Sequence, residues 1–146
     1  MKRIIIDPDK CVGCKNCSIA CMQAHSEDGT IDFADPRFES RNTILLDGLQ
    51  NYKPLFCRHC TRPGCANSCM SGALEKDPGS GHVLYDREKC GQCFMCVMNC
   101  PFGVLKPDRA LGEYVIKCDF CVGHNSEPQC VKNCHTGAIF VQEVGT

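Results

Sequence analysis

Four groups of cysteines hold most of the chemistry this chain can do. They are CVGCKNCSIAC (Cys11, Cys14, Cys17, Cys21), CRHCTRPGCANSC (Cys57, Cys60, Cys65, Cys69), CGQCFMCVMNCP (Cys90, Cys93, Cys96, Cys100, then Pro101) and CDFCVGHNSEPQCVKNC (Cys118, Cys121, Cys130, Cys134), and they use all 16 cysteines of the 146 residues. Two-residue spacers set the middle sulfurs too close along the chain for unstrained disulfides. Structural zinc usually joins two C-x2-C pairs across a dozen or more residues, whereas here the second and fourth groups have short third gaps and the other two are packed triads. A small, soft Fe4S4 core takes thiolates at its corners and asks the chain to curl tightly around it. Gly13 and Gly91 inside the triads and Gly64 in the wider loop of the second group suit that curl. In the spacing C-x2-C-x2-C-x3-C-P three thiolates wrap one cluster and the fourth reaches across to another, so each quartet calls for a partner quartet.

The rest of the composition agrees with a metal-built interior. Aromatic residues make up 7% of the chain and tryptophan is absent, so the cysteines themselves are expected to form much of the core. The N-terminal MKRIIIDPDK is too short in apolar residues for a secretion signal, and no run approaches the roughly 20 residues of a membrane span. A cytoplasmic protein with no direct membrane insertion is expected. The formal net charge is −1, and four oxidised cubanes on sixteen thiolates would take it to about −9. With no basic patch, nucleic acid is excluded as a partner. No nucleophile with a base, no phosphate loop and no paired carboxylates stand at a useful spacing, so the chain is read as non-catalytic.

The elements that must position the quartets recur with them. A β-like stretch precedes each quartet (KRIIID, YKPLF, HVLYD, EYVIK), and a small-residue turn with a short apolar segment follows (SGALEKD, FGVLKPD, TGAIFVQE). The repeating unit is strand, cysteine loop, short helix, strand, with SIA and VMN on the first helical turns. Residues 22–56 form an insertion: a Gly-, Asp- and Pro-rich loop followed by the strand candidate NTILLDG. Its Asp35, Arg37, Glu39 and Arg41 with Phe33, Phe38 and Leu45 give it the composition of a docking surface, the alternative being a lid over a cluster. His59 and His135 adjoin ligands and could serve the sulfurs. Lys53, Arg58, Lys117 and Lys132 could offset cluster charge.

The widened second and fourth quartets, C-x2-C-x4-C-x3-C and C-x2-C-x8-C-x3-C, resemble those of the four-cluster ferredoxin subunits that accompany large redox enzymes such as dimethyl sulfoxide reductase, formate dehydrogenase and hydrogenase. CKNCSIACMQAHS, FESRN, FCRHC, CMSGAL and CFMCVMNCPFGVLKPD are most similar to the small electron-transfer subunit associated with nickel carbon monoxide dehydrogenase. The small subunit of tungsten aldehyde oxidoreductases is close. The resemblance implies an α+β fold of two bacterial dicluster-ferredoxin-like halves, the inner inserted in the outer. The outer half takes residues 1–56 and 105–146, the inner half 57–104. It further implies four [4Fe–4S] clusters, held by Cys11, Cys14, Cys17 and Cys134; by Cys118, Cys121, Cys130 and Cys21; by Cys90, Cys93, Cys96 and Cys69; and by Cys57, Cys60, Cys65 and Cys100. Proline follows only Cys100; Met22, Met70 and His135 fill the equivalent places.

The function expected is that of a wire between a large catalytic redox subunit, working on a low-potential donor, and a second partner such as a flavin-containing oxidoreductase. Two other readings stay open on the sequence: a zinc-stabilised interaction module, and a free diffusible polyferredoxin.

Overall fold

The computed structural model describes residues 1–48 and 51–145. Every strand in it belongs to a two-stranded antiparallel ribbon. β1 (Lys2–Ile6) pairs with β8 (Ile139–Glu143), Ile4 facing Val141, so the two ends of the chain close on each other. β2 (Thr43–Asp47) pairs with β3 (Asn51–Leu55), β4 (Leu74–Lys76) with β5 (Val83–Tyr85), and β6 (Lys106–Pro107) with β7 (Val115–Ile116). Seven of the eight lie within the β-like and apolar stretches expected from the sequence, and β3 starts one residue before YKPLF, at Asn51. Both strands of the β2–β3 ribbon thus belong to the insertion, whose second half is ordered as a hairpin leading into the second quartet.

The helices are short. α1 (Asn16–Ala24) spans nine residues, while α2 (Gly64–Asn67), α3 (Met95–Met98) and α4 (Gln129–Lys132) have four each. None has a side-chain N-cap, and none approaches the ~12 residues at which a helix begins to hold itself together in water. Their stability is therefore tertiary. α1 packs on α4 and α2 on α3, joining the first quartet to the fourth and the second to the third.

Two separate cores follow this division in part, the second also taking in Leu105, Val115 and Cys118 from the chain beyond the third quartet. One buries Ile4, Phe56, Phe120, Cys130 and Ile139, with Cys17 and Cys134 against it. The other buries Cys57, Leu74, Val83, Cys96, Val104, Leu105 and Val115, with Cys65, Cys69, Cys100 and Cys118 against it. Cysteine is thus a core residue in both, as the low aromatic content required. Small helices and two-stranded ribbons around cysteine-lined cores make a ferredoxin-like α+β fold. No helix among the described residues is long and apolar enough to cross a membrane.

Candidate metal centres

The cysteine loops curl through the left-handed backbone region at one repeated position. Gly13, His59, Gln92 and Phe120, each the residue before the second cysteine of its quartet, have φ of 69°, 42°, 55° and 60°. In both triads the residue after that cysteine, Lys15 or Phe94, is left-handed as well. Outside glycine such a conformation costs roughly 1–2 kcal/mol per residue and persists only where the surroundings impose it. The curl in the third quartet falls on Gln92, not on Gly91, so glycine marked the right position only in the first. Gly64 serves close approach instead, since a Cβ there would lie 2.9 Å from the Asn99 carbonyl oxygen between α2 and α3.

Gly13 has both reasons at once. A Cβ at that residue would lie 2.3 Å from Cε1 of Tyr52, whose ring from β3 covers the first cysteine loop. Gly13→Ala is therefore expected to lower the melting temperature and to strip iron from that loop. Adding Tyr52→Ala should recover the steric part of the loss and leave the backbone part, about 1–2 kcal/mol. Equal damage with and without Tyr52 would contradict the contact.

Thiols from different quartets come together. Cys11, Cys14, Cys17 and Cys134 line one partly open cavity, roofed by Ile44 and Pro54 of the insertion hairpin. Cys57, Cys60, Cys65 and Cys100 line a second, with His59, Val83 and Phe102. Burial pushes the Cys17 thiol up to about 11, and the neighbouring Cys134 and Cys14 add to it. Burial likewise raises Cys130, reinforced by Cys118, Cys21 and Cys121, and raises Cys96 to about 11, reinforced by Cys69. Cys65 is raised by burial and then by Cys57 and Cys100. Cys90 acts with Cys96 on Tyr85, while Cys93 is exposed and brought to none of the others by these contacts.

Buried sulfurs crowded in this way are poor thiolates by themselves, and a bound metal core supplies the positive charge that ionises them with release of protons. The donor set fits soft iron–sulfur ligation, as do the amides aimed at sulfur. Phe120 N–H lies 3.4 Å from Cys118 Sγ, and Arg41 N–H lies 3.3 Å from Cys21 Sγ. At Cys69 burial is outweighed by the Ser71 hydroxyl and nearby backbone N–H groups, which hold the thiol below its ordinary value. Thr136 and the amides after it do the same for Cys134. The two hydroxyls occupy the same place, two residues beyond the fourth cysteine.

The insertion is bound into this architecture more tightly than a free docking loop would be. Ser18 Oγ donates to Asn42 Oδ1 at 2.6 Å, Asn42 Nδ2 donates to the Cys17 carbonyl, and Glu39 pairs with Lys106 at 3.0 Å. Arg41 is not a free rim charge, because it meets Asp119 at 2.9 Å and Asp119 also takes His25 Nε2 at 3.1 Å. Arg37 pairs only with Asp35 in its own turn. We therefore expect Arg41→Glu to lower the iron content and Arg37→Glu to leave it unchanged, measured on anaerobically loaded protein.

Burial disfavours a charge on His25, yet the Asp119 carboxylate and Cys21 outweigh it and raise the imidazole to about 9. The contribution of that charge to stability is present in full below the unfolded value near 6.5 and is lost as pH rises through 9. The melting temperature of His25→Gln should accordingly lie below that of the parent by a constant margin under pH 6.5, a margin that shrinks between pH 6.5 and 9. A margin that widened over that interval would reverse the assignment.

Other side chains singled out in the sequence have local partners. Lys53 pairs with Asp47 and Lys132 with Glu127, and the Arg58 guanidinium sits 4.4 Å over the Phe102 ring. Among the described residues His135 makes no hydrogen bond to a sulfur. His59 is 1% exposed, and its Nδ1 accepts from Val83 N–H at 3.0 Å. Burial and the adjacent Lys117 depress it to about 2, so the ring is neutral. Its neighbours His82 and Phe120, stacked 4.1 Å apart, left no signal in the sequence because they come from distant segments.

Comparison with known proteins adds to this geometry. The chain is 38% identical over 141 residues to the NADH-dependent phenylglyoxylate dehydrogenase subunit beta of Aromatoleum evansii; the match covers 93% of this chain but only 29% of that longer protein. It is 32% identical over 150 residues to the electron transport protein HydN of Escherichia coli strain K12, covering 93% of this chain and 85% of HydN. Among solved structures it resembles a chain of the active site complex BamBC of benzoyl coenzyme A reductase bound to 1,5-dienoyl-CoA, with TM-score 0.56 and 29% identity, over 100% of this chain and 79% of that one. Residues 49–144, which contain three of the four quartets, match the family described as 4Fe-4S dicluster domain, and the chain belongs to that family.

Proposed function

We propose that this chain is a non-catalytic electron-transfer subunit that holds four [4Fe–4S] clusters as a wire between a large catalytic oxidoreductase subunit and a second redox partner. The observation that carries this reading is the meeting of thiols from different quartets, around two cavities and in two further neighbourhoods. It supports ligand sets of Cys11, Cys14, Cys17 and Cys134; of Cys118, Cys121, Cys130 and Cys21; of Cys57, Cys60, Cys65 and Cys100; and of Cys90, Cys96 and Cys69, to which the spacing of the third quartet adds Cys93. Two nested halves, an outer of 1–56 with 105–146 and an inner of 57–104, are supported by the β1–β8 pairing and by the packing of α1 on α4 and α2 on α3, while one core joins the halves through Leu105, Val115 and Cys118.

When bound, such clusters supply one-electron storage, commonly near about −400 mV for the ferredoxin type. The protein's own residues set distance, exclusion of water and local charge. The four ligand sets follow one another through neighbouring thiols: Cys17 beside Cys130, Cys57 beside Cys118, and Cys65 beside Cys96. The terminal sets are then those of the first and third quartets, whose Cys14 and Cys93 are exposed. Partners would meet the protein at these ends.

The quoted motifs favour a catalytic partner of the carbon monoxide dehydrogenase or tungsten aldehyde oxidoreductase type. A second partner carrying a flavin suits the NADH dependence in the name of one relative. Anaerobic purification from the native host tests the reading. A larger redox subunit should co-purify, and its substrate should bleach the visible absorption of this chain. A chain that elutes alone and loaded would be a free carrier, and one holding zinc without sulfide would be an interaction module.

A further inference from the structure

Lys117 immediately precedes Cys118, yet it is only 4% exposed. Its Nζ donates to two backbone carbonyls, those of Val83 and, at 2.7 Å, Cys118. Neither is a charge, and no carboxylate pairs with it among the described residues. An ammonium held in the dry interior by carbonyls alone is costly unless negative charge arrives from elsewhere.

The same valine anchors a second donor. Val83 N–H occupies His59 Nδ1, so the ring proton is on Nε2, and Nε2 is buried without a protein acceptor. Val83 and His59 both line the cavity of Cys57, Cys60, Cys65 and Cys100. Phe120, two residues beyond Cys118, meets His59 edge to face at 5.8 Å. One backbone position of β5 thus fixes a buried cation and a buried N–H at the seam between the second and fourth quartets.

We propose that Lys117 and His59 are positioning residues that raise the reduction potentials of the two centres meeting at this seam, held by Cys57, Cys60, Cys65 and Cys100 and by Cys118, Cys121, Cys130 and Cys21. The proposal rests on the four-cluster reading above. Each centre gains one negative charge when a neighbouring centre passes it an electron, and a fixed cation in a medium of low dielectric favours the more negative state. An N–H donated to a cluster sulfur acts in the same direction, and the unpaired Nε2–H of His59, which lines the cavity of the second quartet, is available to supply one. Electrons would then rest at the middle of the wire, away from the exposed ends.

The test is a redox titration followed by electron paramagnetic resonance on the full chain loaded anaerobically. Lys117→Met should shift two of the four couples negative by a tenfold or larger change in reduced-to-oxidised ratio, about 59 mV for one electron, and leave the other two in place. Lys117→Arg should restore them. His59→Gln, which keeps an N–H near the Nε2 position, should shift the inner couple less than His59→Asn, which keeps only the acceptor for Val83. Unmoved potentials at full iron content, or an equal shift of all four couples, would overturn the proposal. Should Lys117→Met fail to hold iron, Lys117→Gln replaces it, neutral but still able to donate to the carbonyls, and is read by the same criteria. A parent chain that takes up no iron and sulfide would overturn the four-cluster reading instead.

Discussion

Replacing Cys100 with alanine is expected to remove about four of sixteen irons and four sulfides, and to remove them from the centre of Cys57, Cys60 and Cys65. Cys100 lies beyond α3 in the third quartet, yet it lines the cavity built by the second, and its thiolate is among those that raise Cys65. The reason is local geometry. α2 of the second quartet runs against the end of α3, where a Cβ at Gly64 would lie 2.9 Å from the Asn99 carbonyl oxygen, and Val83 of β5 holds His59 of the second quartet's loop beside it. Double variants make the assignment unambiguous, because two ligands of one centre cannot each remove it separately. Cys60→Ala with Cys100→Ala should cost the same four irons as either alone. Cys93→Ala with Cys100→Ala should cost about eight. The reverse pattern would return Cys100 to its own quartet.

Stripping iron from the whole chain should unfold most of it. The elements cannot hold alone: three of the four helices have four residues, and every described sheet has two strands. The cores cannot replace them, since cysteines occupy buried positions in both and large apolar side chains are few. Left-handed residues at His59, Gln92 and Phe120 add strain that only ligation offsets. Lys117 would keep its burial with no negative charge to answer it. Amide protection in β1, β8, β4 and β5 should fall by about a hundredfold or more, equivalent to ~2.7 kcal/mol. Native-like protection in the iron-free chain would mean that the polypeptide, not the metal, builds the fold.

The parts of this account visible in the sequence are those with short-range causes. Strands such as KRIII and TILLD declare themselves by apolar β-branched residues, and the quartets by cysteine spacing. Gly13 announced a left-handed turn, but Gln92 did not, because ligation can force that conformation on a residue that does not prefer it. Arg41 read as a surface charge because its partner, Asp119, lies 78 positions away in the sequence. From the sequence His59 reads as a residue that could serve the sulfurs and Lys117 as one that could offset cluster charge, each adjoining a cysteine. Their common attachment to Val83 is a tertiary fact, set by the β4–β5 hairpin folding between the quartets, and no local pattern carries it.

The central claim, four iron–sulfur centres in one chain, is met most directly by metal and sulfide analysis of protein purified without exposure to air. The account predicts about sixteen irons and sixteen acid-labile sulfides per chain, with zinc absent. About four zinc ions and no sulfide, or only about eight irons, would contradict it.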